Sequence, residues 1–204
     1  MELVGKRVLV VGLGKSGVSS ALFLAKRGAR VTVSDARPEE QLRGALPALL
    51  DAGVAIETGG HGERTFRMQD LIVVSPGVPA NQAQLAQARQ MGVPIIGEIE
   101  LAARFLRGQI IAITGSNGKT TTTSLIGRLV ERAGLAVQVG GNIGTPVTGL
   151  LESSRDDGWN VLEVSSFQLE TIDRFRAHIG AVLNVTPDHL DRHGSMENYV
   201  AAKA

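Results

Sequence analysis

Short runs of β-branched and aliphatic residues alternate with longer amphipathic stretches along the chain. The first apolar run, Val8 to Leu13, passes directly into glycines. A helix-like stretch from Val18 to Lys26 follows and is closed by Gly28, which suits the left-handed backbone after a helix. RVTVSD, Arg30 to Asp35, reads as a strand with its acid at the carboxyl end. Strand-like runs recur at Val54–Glu57, Leu71–Ser75 and Pro94–Gly97, separated by helix-like stretches such as Asn81–Met91. Strand–helix alternation of this kind predicts a parallel sheet covered on both faces.

The pattern then starts again. QIIAITGSNGKT, Gln109 to Thr120, is a strand entering a glycine loop, and Leu125, Ile126, Leu129, Val130 and Ala133 recur behind it at helical spacing until Gly134. Strands are expected at Ala136–Val139, Asn160–Val164 and Ile179–Val185. Glu98–Leu106 reads as a helix leading into the second unit. The expectation is therefore an α/β protein: a Rossmann-like parallel-sheet N-terminal domain over residues 1–97, then an incomplete P-loop-type α/β domain over 98–204. Ser195 is a good N-cap and Glu197 suits the first turn of a helix over Met196–Ala204. So short a helix with nothing after it gains little alone, so the polypeptide is expected to continue.

Composition narrows the function. Among 204 residues, 21 Lys and Arg balance 20 Asp and Glu, which argues against a nucleic-acid or polybasic membrane surface. With no cysteine, disulfides, thiolate metal sites and a Cys nucleophile are excluded. No apolar run approaches the roughly 18–20 residues that span a bilayer, and no signal-peptide core is evident, so a cytoplasmic location is expected.

Two glycine loops carry the candidate chemistry. Gly12, Gly14 and Gly17 match G-x-G-x-x-G between a strand and a helix, with Asp35 some twenty residues on. The pattern permits a tight turn, a phosphate against the backbone and close helix–strand packing, while Asp35 would accept hydrogen bonds from a sugar or base. It indicates the phosphate of a nucleotide without saying which; a ligand-free turn is the alternative. TGSNGKTTTT, Thr114 to Thr123, is the stronger signal. Its Gly115, Ser116, Asn117, Gly118, Lys119, Thr120 and Thr121 form a short relative of the P-loop. The amides of Ser116 to Lys119 would cradle phosphate, Lys119 would neutralise it, and the Thr120 hydroxyl would meet Mg²⁺.

Downstream, Glu163 stands at the carboxyl end of a strand, where such sheets present metal-binding carboxylates. A buried acid there wants a cation; a solvated acid past the strand end is the alternative. His189, in NVTPDHLDRHG, is equally a ligand candidate and a surface residue. Lys203 on its own reads as a solvated helix residue.

Together TGSNGKTTT, GGNIG (Gly140–Gly144), EVSSFQLE (Glu163–Glu170) and NVTPDHLDRH resemble the Mur ligases, the ATP-dependent amide ligases of peptidoglycan precursor synthesis. The combination is similar to the D-glutamate-adding branch. The resemblance implies that the first domain binds UDP rather than NAD. Gly14, Lys15 and Ser16 would face the diphosphate, Asp35 and Arg37 the uridine, and Ser75 and Gly77 the same site. Position 36 is Ala, where some relatives carry a hydrogen-bonding side chain. Asn142, Ser165, Gln168 and His189 would extend the substrate site, with Lys119, His189 and Lys203 in catalytic positions. Thr120 and Glu163 would hold one of two Mg²⁺ ions, and Glu163, His189 and a carbamylated Lys203 the other.

The implied partners are UDP-N-acetylmuramoyl-L-alanine, D-glutamate and ATP, with no nucleic acid or membrane, in a monomer. The implied reaction passes through an acyl phosphate, and family members are more than twice as long, so the 204 residues are expected to be inactive alone. Three competing readings are a sibling ligase with another amino acid, an NAD(P)-binding oxidoreductase fused to a P-loop module, and a catalytically dead nucleotide-sugar sensor.

Overall fold

The computed structural model describes residues 1–79 and 82–204, and the chain divides into two compact units, Met1–Leu101 and Ala102–Ala204. In the first, strands β1 (Arg7–Val11), β2 (Arg30–Asp35), β3 (Ala55–Thr58), β4 (Leu71–Val74) and β5 (Ile95–Gly97) form one parallel sheet in the order β3-β2-β1-β4-β5. The chain reverses direction across the sheet between β1 and β4, and ligands of such sheets bind outside the carboxyl ends at that point. Helix α1 (Lys15–Lys26) packs on β1 and β2; α2 is Leu46–Asp51, α3 Glu63–Arg67, α4 Ala83–Gln90 and α5 Glu98–Ala103.

Valine and leucine in β1 are buried throughout, as an interior parallel strand requires. Leu9, Val11, Ile72 and Val74 meet Phe66, Leu85 and Ala88 from α3 and α4 in one core cluster. The helix predicted from Asn81 begins at Ala83; Asn81 itself lies outside the described residues.

The second unit is a four-stranded parallel sheet in the order β7-β8-β6-β9, built from β6 (Gln109–Thr114), β7 (Val137–Gly141), β8 (Trp159–Glu163) and β9 (Ile179–Val182). Helix α6 (Lys119–Arg132) presses Ile126 and Val130 onto Ile111, Ile113 and Val161. The predicted helical stripe is only half buried, because Leu125 and Leu129 remain 55% and 57% exposed while Thr123 and Gly127 face inward. Helices α7 (Ser166–Leu169), α8 (Leu190–His193) and α9 (Met196–Lys203) complete the unit. Ser195 caps α9 by accepting from the Asn198 N–H at 3.2 Å. Strand β9 stops at Val182, short of the expected Val185, because the next residues turn to bind the glycine loop. Among the described residues no helix is long and apolar enough to cross a membrane.

Candidate functional site

The first glycine loop is assembled by packing. A Cβ on Gly17 would lie 1.8 Å from the Gly12 carbonyl oxygen, so α1 can approach β1 only through hydrogen at that position. Ser75 Oγ donates to the same carbonyl at 2.8 Å, which ties the end of β4 to the loop. A Cβ on Gly14 or Gly77 would meet nothing within 4 Å, and Lys15 is exposed beside them. Ser16 lies in the first turn of α1, whose N-terminus has no side-chain cap.

Asp35 is tied into its own unit. Its Oδ2 accepts from the Leu13 N–H at 2.7 Å and from Arg37 Nη2 at 2.7 Å; its Oδ1 accepts from Arg37 N and Nε, both at 2.9 Å. Burial by itself would raise its pKa, but the Arg37 guanidinium and these two backbone N–H groups hold it down at about 2. The carboxylate is thus a clamp on the loop and on Arg37.

The second loop is assembled by side chains. Gly118, at φ +82°, turns the chain into α6 in a left-handed conformation and leaves the first-turn amides without a side-chain cap. Not all the predicted amides face an anion. Ser116 N–H donates to the Asn184 carbonyl at 3.0 Å and Asn117 N–H to Asn184 Oδ1 at 2.9 Å. The Ser116 and Asn117 amides are thus already paired within the unit, and the loop amides that follow them, from Gly118 to Thr121, stand at the helix N-terminus. Ser116 Oγ donates to the Thr186 carbonyl at 2.9 Å, accepts from Thr186 N–H at 3.0 Å, and lies 2.8 Å from the Tyr199 hydroxyl.

Two cations converge on this loop. Lys119 Nζ donates to the carbonyls of Gly115 and Ser116, both at 2.9 Å. Lys203 Nζ donates to Thr114 Oγ1 and to the same Gly115 carbonyl, both at 3.1 Å. The solvated reading of Lys203 is overturned: it is 7% exposed. Its pKa falls to about 8, first through burial and then through the neighbouring Lys119 charge, against a weaker pull from Asp188.

Beside the loop, Glu163 is 2% exposed, which removes the reading of a solvated acid past the strand end. Its Oε2 accepts from Thr120 Oγ1 and its Oε1 from Asn142 Nδ2, each at 2.8 Å. The structure thus brings Thr120, Asn142 and Glu163 together. His189 sits apart in a left-handed conformation, with Nε2 3.6 Å from Asp188 Oδ2 and its ring 4.8 Å from that of Phe167. Ser165 and Gln168 close a capping box at the start of α7, and Gln168 is buried in it instead of facing an open surface.

Several residues that hold this arrangement escape sequence reasoning. Asn184 falls in the expected strand Ile179–Val185, Thr186 in NVTPDHLDRHG and Tyr199 in the expected terminal helix, and nothing in those patterns marks these residues or His193. Only the polar residues clustered after the last strand hinted at them.

Two parallel α/β sheets, each with a glycine loop between its first strand and first helix, define a two-unit Rossmann-like architecture. Residues 6–97 match the Mur ligase MurD-like N-terminal domain, and residues 113–204 match the Mur ligase middle domain. The whole chain aligns with curated proteins named UDP-N-acetylmuramoylalanine--D-glutamate ligase. The one from Acidobacterium capsulatum is 68% identical, with 44% of its length covered; the one from Koribacter versatilis is 65% identical, with 45% covered. Among solved structures, UDP-N-acetylmuramate-alanine ligase from Thermotoga maritima superposes with TM-score 0.57 at 23% identity, over 97% of this chain and 46% of that one. The Neisseria ligase for L-alanyl-gamma-D-glutamyl-meso-diaminopimelate superposes with TM-score 0.61 at 17% identity, over 98% and 66%, so these two speak for the fold alone. The chain belongs to the Mur ligase family. It spans less than half the length of the curated relatives named.

Proposed function

We propose that the whole protein is an ATP-dependent ligase that joins D-glutamate to UDP-N-acetylmuramoyl-L-alanine, and that these residues supply its UDP-binding domain and part of its ATP-binding domain. The observation that carries the reading is the loop of the second unit. The Lys119 ammonium lies on the carbonyls of Gly115 and Ser116, both at 2.9 Å, and a buried carboxylate lies hydrogen-bonded to the Thr120 hydroxyl at 2.8 Å. A cation on the loop suits a triphosphate. The curated relatives named above support the choice of substrates.

The donor set fits magnesium. Glu163 and Thr120 offer hard oxygen ligands side by side, and both oxygens of Glu163 are met by neutral donors. Among the described residues no three His, Asp or Glu side chains are arranged to hold a metal together. An ion at Glu163 would therefore complete its shell with phosphate, substrate or water oxygens. His189 and a carbamylated Lys203 are proposed for a second ion; at a pKa of about 8, more Lys203 is the neutral amine that CO₂ needs than for an ordinary lysine. When bound, magnesium would offset the repulsion between triphosphate and carboxylate.

In the reaction, a carboxylate oxygen of the muramoyl-alanine attacks the γ-phosphorus as the bond to ADP breaks. The glutamate nitrogen then attacks the acyl carbon, the C–O bond breaks, and phosphate and a proton leave. Lys119 and the α6 N-terminus would hold the transferring phosphoryl group. In the first unit, the loop from Gly14 to Ser16, with Ser75 and Gly77, would take the diphosphate and Arg37 the uridine. Phosphate release by the full-length protein over a panel of amino acids tests this reading: D-glutamate alone should support turnover. Turnover with another amino acid would reassign the acceptor. NADH binding to this chain without UDP-N-acetylmuramoyl-L-alanine binding would reject the ligase altogether.

A further inference from the structure

We propose that His193 is a positioning residue that holds the triphosphate loop and the His189 segment in one register. The inference rests on reading the second unit as a triphosphate site. His193 is buried, and both ring nitrogens are engaged: Nδ1 lies 3.1 Å from Glu170 Oε1 and Nε2 3.0 Å from Ser166 Oγ. A carboxylate can only accept, so Nδ1 carries the proton, while the Ser166 hydroxyl, which can donate or accept, meets Nε2. Glu170 is itself held by Arg192 Nη2 at 2.9 Å. The ring plane is therefore fixed from two sides by α7, which directly follows the strand bearing Glu163.

Two aromatic contacts carry that orientation outward. On one side the His193 ring lies 5.1 Å from the ring of Tyr199, whose hydroxyl meets Ser116 Oγ in the glycine loop at 2.8 Å. Tyr199 also underlies Lys203, with Nζ 4.8 Å from its ring centre. On the other side His193 lies 5.6 Å from Phe167, against which His189 packs at 4.8 Å and the Arg192 guanidinium at 4.1 Å. One imidazole thus touches the supports of both the Lys119–Lys203 end and the His189 end. An apolar side chain without hydrogen bonds would not hold its place between these two rings, because it is the hydrogen bonds to Ser166 and Glu170 that fix the imidazole.

The test uses the full-length protein, with Mg·ATP as the probe of the second unit and UDP as the probe of the first. His193→Phe keeps an aromatic ring, slightly larger than imidazole, and removes both hydrogen bonds; Ser166→Ala removes one and is the gentler variant. His193→Phe is expected to weaken Mg·ATP about tenfold and Ser166→Ala about threefold, with UDP affinity unchanged. Combining His193→Phe with Tyr199→Phe should cost little more than the larger single loss, because both act along one path. Ring ¹⁵N shifts should report the Nδ1–H tautomer, and His193→Phe should move the amide signals of Ser116 and His189 together. Multiplicative losses, an Nε2–H tautomer with Nδ1 unbonded, or Mg·ATP affinity unchanged in both single variants would overturn the proposal. Absence of Mg·ATP binding by the unsubstituted full-length protein would instead reject the triphosphate reading, while the ¹⁵N and amide measurements would still judge the role of His193.

Discussion

The two glycine loops share a position in their sheets and almost nothing else. Each lies between the first strand and first helix of a parallel unit, where backbone amides face outward at the helix N-terminus. The first is set by contact distance: Gly17 lets α1 touch the Gly12 carbonyl, and Asp35 clamps Leu13 from behind. The second is set by side chains reaching from the far end of its unit, with Asn184, Thr186 and Tyr199 on Ser116 and Asn117 and two lysines on Gly115. The first loop is backed by the Asp35–Arg37 pair, and the second by Lys119 and Lys203 with the buried Glu163 carboxylate beside them. The same topology can thus set different charged groups behind its glycine loop.

The largest effect is expected at Lys119. Lys119→Ala should lower phosphate release by the full-length ligase by about 10²–10³-fold, measured with saturating UDP-N-acetylmuramoyl-L-alanine, and should leave UDP affinity intact. Loss of UDP binding would show that the loops do not act separately. Gly17→Ala comes next. Its Cβ would meet backbone only 1.8 Å away, so the first unit should lose about 3 kcal/mol by chemical denaturation. A neutral result would mean that α1 is not packed as described.

Asp35→Asn should remove a smaller amount, about 1–2 kcal/mol after allowance for solvent at Arg37. The sign with pH follows from the depressed pKa, about 2 in the fold against an ordinary 3.8. The contribution is present above the ordinary value and lost as pH falls from there towards 2. Denaturation of the wild-type chain and of Asp35→Asn should therefore converge at the acid end; parallel curves would place the clamp elsewhere. The smallest change is expected at Leu129, 57% exposed on α6, where Leu129→Gln should shift stability by no more than about 0.5 kcal/mol.

Much of this arrangement is legible before any fold is known, and the reasons are local. Apolar runs of β-branched residues mark β1, β2, β4 and β6 because buried parallel strands need them, and G-x-G-x-x-G and GSNGK mark the turns because few other residues fit. Helical spacing announced α6 but not which of its leucines would be covered, since periodicity records a face and not a neighbour. Glu163 could be singled out because an acid closing an apolar strand is costly without partners. Lys203 could not: eight residues of weakly patterned helix contain nothing that distinguishes a buried lysine from a solvated one. Asp35 stands out by its position but not as a clamp, because its partners, Leu13 and Arg37, are ordinary in the sequence and come to it only when β1 and β2 lie side by side.

Sequence alone settled the repeated strand–loop–helix plan, the two phosphate-loop candidates and the family, since each depends on residues close together in the chain. Tertiary structure decided which loop amides stay open, that Lys203 joins Lys119 at one carbonyl, and that His193 stands between Ser166 and Glu170. Those outcomes arise from contacts between distant segments, where burial and the competition for hydrogen-bond partners are fixed only once the chain has closed on itself.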